Sequence, residues 1–180
     1  MTLEAEYNRV CVEPSDIVNH LPRFVAMVQE LDAKHVIELG TRTGVSTIAW
    51  LYGLQQTGGH LTSIDIDTKP VIGDYDNWTF IQSDDLNPAT VAALTEADIV
   101  FIDTSHLYAQ TVQELNVYRW LVRSGGLLVL HDMELPVPET AGPGEPRYPV
   151  KKAVTEFLQD TGFDCITYPD SWGLAVIKVE

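Results

Sequence analysis

The feature that most constrains this chain is an apolar run at residues 36–40, followed by a short glycine-containing loop and then by a helical pattern. Parallel strands turn into helices in this way and leave a ligand-binding notch at the carboxyl end of the strand. Gly40 and Gly44 let the backbone approach a ligand closely, because glycine has no Cβ. The segment predicts a nucleoside-sized notch. An ordinary strand-to-helix turn in an unrelated α/β protein would show the same pattern.

The spacing of the glycines separates two kinds of ligand. A dinucleotide fingerprint requires Gly-x-Gly-x-x-Gly, so that a pyrophosphate can lie on bare backbone. Here only Gly40 and Gly44 are present, and Glu38 precedes them as a further acceptor. The pattern favours a ligand without a diphosphate, which makes a nicotinamide enzyme the least favoured interpretation.

The net charge of the chain limits the kinds of partner that it can bind. Its 180 residues include 26 acids against 11 bases, which gives a formal net charge of −15. A surface this negative repels phosphate backbones and anionic lipids, so we expect neither nucleic acid nor a membrane as partner. A cationic ligand is favoured. We expect a cytoplasmic protein, because no signal peptide pattern or membrane-length apolar run is found.

Short apolar segments alternate with helical patterns along the chain, which predicts an α/β fold with a largely parallel sheet. The predicted strands are 36–40, 61–65, 79–83, 99–103, 127–131, 164–168 and 174–179. The predicted helices are 43–56, 88–96, 107–123 (ended by Gly125-Gly126) and 150–160, and another begins at Ser15-Asp16 and is interrupted or restarted by Pro22. The last two strands are separated by residues 169–173, which are too few for a crossover, so they should pair antiparallel.

We predict one domain over residues 1–180, with an N-terminal helical cap at 1–34. The proline-rich segment 135–148 follows a strand at the edge where ligands bind in such sheets. A long loop at that position is typical of a lid or substrate loop, here assigned to 133–149, and a disordered tether is the alternative.

Acidic residues follow five of the predicted strands. The carboxyl ends of parallel strands meet at one edge of a sheet, so these side chains should gather along one rim. They are Glu38, Asp65 with Asp67, Asp84 with Asp85, Asp103, and Asp132 after His131. Carboxylates so close together raise one another's pKa unless ribose hydroxyls, an amine or a metal joins them. Helix capping is the alternative role for Asp67, Asp84 and Asp85.

Asp103, His131 and Asp132 form a mixed set of oxygen and nitrogen ligands. Magnesium prefers oxygen, and a histidine shifts the preference toward manganese, iron or zinc. A base-and-orienter pair without a metal is the alternative. His106 lies three residues after Asp103 and can take up a proton near neutral pH, or it is a solvent-exposed residue at a helix start. For His20 a surface position is favoured.

These segments together resemble the class I S-adenosylmethionine-dependent methyltransferases over nearly the whole chain. The nearest subgroup is the small bacterial methyltransferases that are grouped with cephalosporin-hydroxylase-like proteins and with metal-dependent O-methyltransferases of antibiotic sugars. The resemblance is carried by residues 20–22, 36–47, 63–67, 101–106 and 124–132.

The resemblance implies a Rossmann-like, doubly wound sheet of seven strands, six parallel and the last antiparallel, with helices on both faces. It implies that the residues contacting the S-adenosylmethionine cofactor are Glu38, Gly40, Thr41, Gly44 and Ser46 at the methionine part, Asp65 at the ribose, Ser83 and Asp84 beside the adenine, and Asp103. Ser83 stands where many relatives have glycine.

The resemblance also places Asp103, His131 and Asp132 at the metal-ligand positions of catechol-type O-methyltransferases. His131 departs from the usual acid, which leaves the identity of a divalent metal (Mg, Mn or Fe) open. His106 matches the position of the catalytic lysine in those enzymes, so we assign His106 and Asp103 as the catalytic residues.

We therefore expect methyl transfer from S-adenosylmethionine to a hydroxyl of a small-molecule acceptor, assisted by a divalent metal. Two alternatives keep the fold: a non-catalytic S-adenosylmethionine-binding module, and an iron-dependent oxidoreductase. Relatives often pair, which leaves a homodimer open, although no heptad or exposed apolar stripe argues for one.

Overall fold

The computed structural model describes residues 2–137 and 144–180. Seven strands form one sheet in the order β3-β2-β1-β4-β5-β7-β6, in which β7 pairs antiparallel with both β5 and β6. The strands are β1 His35–Leu39, β2 His60–Asp65, β3 Trp78–Gln82, β4 Ala97–Ile102, β5 Val122–His131, β6 Cys165–Tyr168 and β7 Leu174–Lys178. The predicted fold class is confirmed.

Six α-helices cover the sheet in the part of the chain that the structure describes. They are α1 Leu3–Val10, α2 Leu21–Glu30, α3 Val45–Thr57, α4 Pro88–Ala93, α5 Tyr108–Tyr118 and α6 Pro149–Thr161. A 3₁₀ helix at Val18–His20 precedes α2, and Pro22 lies in the first turn of α2, as expected for a restart. The short helix α1 lies within the predicted N-terminal helical cap at 1–34 but was not predicted as a separate element. No helix among the described residues combines the length and apolar character needed to cross a bilayer.

The core lies in two layers, one on each face of the sheet. Alternate strand residues face opposite sides, so that Phe101 packs with α1 to α3, whereas Val100 and Ile102 pack with α5 and α6. Phe24, Trp50 and Phe101 form the aromatic centre of the first layer. Helices therefore lie on both faces, and the N-terminal helices are part of this first layer.

The prediction that Gly125-Gly126 ends the helix after residue 107 is wrong. Helix α5 ends at Tyr118, and both glycines lie inside β5. A Cβ on Gly126 would lie 2.6 Å from the carbonyl oxygen of Asp98, and the register of β4 against β5 shifts near this point. The glycines allow the two strands to approach closely where the register shifts. A helix C-cap also favours glycine, so the same sequence pattern fits both structures.

Gly40, directly after β1, sets how closely the glycine loop approaches β4. It has a φ of +83°, and a Cβ built on it would lie 1.9 Å from the carbonyl oxygen of Asp103. Gly58 also has a positive φ, of +70°, but a Cβ there would meet nothing within 4 Å. Comparison of substitutions at the two glycines therefore separates the energetic cost of the left-handed backbone conformation from the energetic cost of a steric overlap.

We expect Gly40→Ala to lower the free energy of unfolding by more than about 3 kcal/mol, because it adds overpacking against a backbone oxygen to the left-handed strain. Gly58→Ala, the matched control, should cost only about 1–2 kcal/mol, from the strain alone. Urea unfolding of both variants measures the difference. Equal costs would show that the close approach to Asp103 is not rigid.

Candidate active site

A cavity of about 420 Å³ opens at the carboxyl edge of the parallel strands. Its lining includes the glycine loop after β1 and the chain that follows β2, β3, β4 and β5. Seven aspartates line it, namely Asp16, Asp65, Asp67, Asp84, Asp85, Asp103 and Asp132. Among its described lining residues, only Arg42 and His106 can carry a positive charge. The cavity therefore favours a cationic ligand.

Asp65, at the end of β2, fastens the glycine loop. Its Oδ2 accepts hydrogen bonds from the backbone N–H of Thr41 (2.7 Å), the hydroxyl of Thr41 (2.9 Å) and the backbone N–H of Arg42 (3.1 Å). Burial alone would raise the pKa of Asp65, but these bonds outweigh it and lower the pKa, so Asp65 is ionised. Its other oxygen, Oδ1, accepts from the backbone N–H of Asp67 at 2.9 Å.

Glu38 lies beneath this loop, outside the cavity lining. It is fully buried, and its two oxygens accept hydrogen bonds from the hydroxyls of Ser46 (2.7 Å), Thr47 (2.8 Å) and Ser63 (2.6 Å). Burial raises the pKa of Glu38 to about 7, against the opposing effect of the three hydroxyl donors. Glu38 thus holds the start of α3 to the sheet, and Ser46 connects it to the cavity wall.

The end of the cavity beside β3 combines acidic and apolar groups. Asp84 is exposed, and its Oδ1 accepts from the backbone N–H of Leu86 at 2.8 Å. Ser83 shares a hydrogen bond of 2.7 Å with the hydroxyl of Thr90. Ile66 and Leu86 also line the cavity, and Ile66 is 71% exposed. An apolar surface beside acceptors suits a flat heteroaromatic base with an exocyclic amine.

A cluster of two histidines and two aspartates follows β4 and β5; Asp103, His106 and Asp132 line the cavity, and His131 lies behind them. The Nε2 of His106 lies 2.8 Å from Asp132 Oδ2 and 3.1 Å from Asp103 Oδ1. The Nδ1 of His131 lies 3.2 Å from Asp132 Oδ2 and 3.6 Å from Asp103 Oδ2. Both His106 and Asp132 have left-handed backbone, with φ of 57° and 63°. Such strain in non-glycine residues is concentrated at functional sites in proteins.

The carboxylates and imidazoles of this cluster keep one another in their charged forms. Burial would lower the pKa of His106 and of His131, but the adjacent carboxylates of Asp103 and Asp132 raise each to about 10. Burial likewise opposes ionisation of Asp103, whereas the two histidines hold its pKa well below its usual range. Without another cation, the cluster is therefore two imidazolium groups facing two carboxylates at neutral pH.

The residue types and the histidine geometry fit a divalent cation. One ligand atom from each of Asp103, His131 and Asp132 can be chosen so that all lie within 4.8 Å of one another. His131 Nε2 lies 2.8 Å from the carbonyl oxygen of Ser171, to which its N–H donates. Its Nδ1 is buried and makes no hydrogen bond to a described residue. Metal-binding histidines typically bind a backbone carbonyl through the nitrogen opposite the metal in this way.

A second pair of acids lies beside the cavity, with Asp85 in the wall and Glu114 outside the lining. Gln110 Nε2 donates to Glu114 Oε1 at 2.9 Å and lies 3.4 Å from Asp85 Oδ1. Glu114 Oε2 and Asp85 Oδ2 are buried without a hydrogen-bond partner among the described residues. Burial, and then the charge of Asp85, raise the pKa of Glu114 to about 7. The pair therefore shares one proton at mildly acidic pH.

Comparison with known proteins identifies the family. A family described as a methyltransferase domain matches residues 37–133, more than half of the chain and the part that carries most of the cavity. The chain belongs to this methyltransferase family. No curated protein sequence matches it significantly.

Solved structures share the fold of this methyltransferase domain. SAH-bound PaMTH1 of Podospora anserina superposes with a TM-score of 0.70 at 14% identity, over 99% of this chain and 87% of that one. Cofactor-bound Rv0187 from MTB gives 0.70 at 19% identity, over 98% and 89%. MycE of the mycinamycin biosynthetic pathway, in complex with Mg, SAH and mycinamycin VI, gives 0.71 at 20% identity, over 91% and 48%. At these identities the similarity establishes the fold alone.

The structure brings most of the predicted site residues of the methyltransferase domain into one cavity. Its walls include the predicted residues Gly40, Thr41, Ser46, Asp65, Ser83, Asp84, Asp103, His106 and Asp132. Glu38, Gly44 and His131 do not line this main cavity, and His131 lines a small hollow directly behind it with Asp103 and His106. The catalytic, cofactor and metal roles stay predictions.

Several residues were missed or misplaced by the sequence. His20 was expected at the surface but is fully buried, with its ring 5.6 Å from that of His131. Ile66 and Leu86 follow the acids of two strands and were not considered, although an apolar residue beside a strand-end acid is the available signal. Part of the predicted lid, residues 138–143, lies outside the described residues, and the lid stays a prediction.

The raised pKa of Glu114 gives a test of the acid pair by pH. Where the folded protein keeps a proton that the unfolded chain releases, stability falls as pH rises, here between the usual glutamate pKa of 4.5 and the raised pKa of about 7. Glu114→Gln mimics the protonated form, so it should make this slope shallower, leaving the part that Glu38 contributes, and add about 3 kcal/mol above pH 8. Urea unfolding from pH 5 to 8 measures both quantities.

Glu30→Gln, at an exposed position at the end of α2, is the control and should leave the slope unchanged. A slope as steep in Glu114→Gln as in the wild type would show that Asp85 and Glu114 do not share a proton.

Proposed function

We propose that this methyltransferase transfers a methyl group from S-adenosylmethionine to an oxygen nucleophile of a small molecule, at a site that also holds a divalent cation. The observation that carries the proposal is the arrangement of one acidic cavity. Asp65 and the glycine loop form one part of its wall, and Asp103, His106 and Asp132 form the adjoining part. A donor and an acceptor oxygen can be held side by side there.

The methyl donor suits this cavity by charge and by shape. S-adenosylmethionine carries a sulfonium cation, which seven aspartates attract. Asp65 is kept ionised, and its Oδ1, which accepts from the backbone N–H of Asp67, can accept a further hydrogen bond from a ribose hydroxyl. Ile66 and Leu86 offer apolar contact to the adenine, with Asp84 as acceptor for its amine. Gly40 offers backbone without a side chain to the methionine part, and Thr41 lies beside it.

Asp103, Asp132 and His131 Nδ1 would hold the cation. Bound there, a divalent cation supplies charge that lowers the pKa of an acceptor hydroxyl and orients it. The nitrogen ligand favours manganese or iron over magnesium, which prefers oxygen. A cation would also offset the carboxylate charges that raise the pKa of His106, so that the imidazole can lose its proton near neutral pH.

His106 is then the group that accepts the proton of the acceptor hydroxyl. Its Nε2 points at the two aspartates from the helix α5 side of the cavity, and its side chain is 37% exposed, so a substrate can reach it. The remaining contribution of the protein is positional, since an in-line displacement requires the oxygen, methyl carbon and sulfur to be aligned at close contact.

Cofactor binding tests the first half of the proposal. Asp65→Asn should weaken S-adenosylmethionine binding at least tenfold, because the charge-assisted bond to the ribose is lost and the glycine loop is held less firmly. Asp74→Asn removes the same charge from an exposed loop residue outside the cavity and should leave the affinity unchanged. Isothermal titration calorimetry measures both. Undetectable binding to the wild type would contradict the proposal.

Cation binding tests the second half. Mn²⁺ titration followed by electron paramagnetic resonance should show one site in the wild type, weakened at least tenfold in Asp132→Asn and unchanged in Asp74→Asn. Removal of a ligand carboxylate takes away both charge and a coordinating oxygen, which explains the expected loss. If Mn²⁺ binds Asp132→Asn as tightly as the wild type, the cation is held elsewhere.

A further inference from the structure

The turn between β6 and β7, at residues 169–173, makes a direct contact with the proposed cation site. The carbonyl oxygen of Ser171 accepts the hydrogen bond of His131 Nε2 at 2.8 Å. In the neutral ring this bond places the hydrogen on Nε2, so that the unprotonated Nδ1 faces Asp103 and Asp132. The position of the Ser171 carbonyl therefore decides whether the imidazole can act as a ligand.

The backbone of this turn is in an unfavourable conformation. Ser171 and Trp172 have φ of 46° and 61°, and Gly173 follows at 85°. Side chains disfavour this left-handed region, so the turn requires contacts that hold it in place. Three backbone bonds do so, from Gly173 N–H to Asp170 O at 2.9 Å, from Glu134 N–H to Trp172 O at 2.7 Å and from Met133 N–H to Gly173 O at 3.3 Å.

Arg23 of helix α2 holds the same turn from across the molecule. Its Nη1 lies 3.0 Å from Asp170 Oδ2, 2.7 Å from the carbonyl oxygen of Asn19 and 2.8 Å from His20 Nδ1. Its guanidinium carbon lies 4.4 Å from the centre of the Tyr168 ring, at the end of β6. The guanidinium is thus bound to both strand and turn on one side and to the start of α2 on the other.

His20, the residue between these elements, packs against the ligand histidine. It is fully buried, and its ring meets the His131 ring edge-on with centroids 5.6 Å apart. Arg23 contacts His20 Nδ1 and so orients the ring that packs against His131. Through Asp170 it also holds the turn whose Ser171 carbonyl accepts the hydrogen bond of His131. Arg23, His20 and Asp170 all lie outside the residues that match the family.

We propose that Arg23 and Asp170 are positioning residues that hold the β6–β7 turn, and through Ser171 and His20 hold His131 with Nδ1 toward Asp103 and Asp132. The inference rests on the proposed cation site, whose single nitrogen ligand it explains. Its consequence is selectivity: loosening the turn should weaken cations that depend on nitrogen, such as Co²⁺, more than Mg²⁺, which prefers oxygen.

Calorimetric titration of the full chain with Co²⁺ and with Mg²⁺ tests this. Arg23→Met keeps the aliphatic stem and Asp170→Asn keeps the shape, and both remove the ion pair. We expect either change to weaken Co²⁺ at least tenfold, the range found for groups behind metal ligands, and Mg²⁺ less than threefold. Arg9→Met, which breaks ion pairs with Glu6 and Glu13 on α1, is the matched control and should alter neither.

Unchanged Co²⁺ affinity in both variants would overturn the proposal, and so would an equal loss of Co²⁺ and Mg²⁺, which indicates general loosening of the site. Arg23→Lys restores the charge without the planar fork and should recover only part of the Co²⁺ affinity.

A second measurement needs no cation. In protein labelled with ¹⁵N-histidine, the His131 Nε2–H should exchange slowly in the wild type and in Arg9→Met, and quickly in Arg23→Met and Asp170→Asn. His131→Gln assigns the resonance. If the wild type binds no cation, the cation site fails, while this resonance still decides whether Arg23 and Asp170 position His131. Slow exchange in all variants would overturn that role.

Discussion

The close approach of Gly40 to the carbonyl of Asp103 is the constraint on which the rest of the site depends. It brings the loop after β1 directly against the end of β4, with no room for a side chain between them. The loop fastened by Asp65 and the cluster around Asp103 therefore belong to one cavity instead of two separate clefts. Methyl transfer requires this, because donor and acceptor must meet within contact distance.

The negative charges of the aspartates in that cavity are stabilised in two different ways. At Asp65 the charge is kept by hydrogen bonds from the loop backbone, so the carboxylate is ionised before any ligand binds. At Asp103 and Asp132 the charge is kept by two histidines, which are themselves made cationic by it. The first arrangement suits an uncharged hydroxyl ligand, and the second suits exchange of protons for a metal ion.

Elements outside residues 37–133, the region that matches the family, hold the cluster of Asp103, Asp132 and the two histidines in place. The turn between β6 and β7 reaches His131 because β7 runs antiparallel beside β5, which brings residue 174 opposite residue 131. Helix α2 reaches the same turn through Arg23. The antiparallel last strand, which the short connection at 169–173 predicted, thereby has a consequence at the site that its prediction did not include.

The sequence by itself determined the order of strands and helices, the strand-end positions of the acids and the glycine loop, because these depend on local pattern and on the rule that parallel strands share a carboxyl edge. The prediction of a helix end at Gly125-Gly126 was wrong, because a helix end and a strand irregularity both use the backbone conformational freedom of glycine. Only the tertiary structure decided that Glu38 lies beneath the cavity, that His20 is buried and that Ser171 orients His131. Each depends on packing between segments distant in the chain, and no local pattern encodes which side chains such packing brings together.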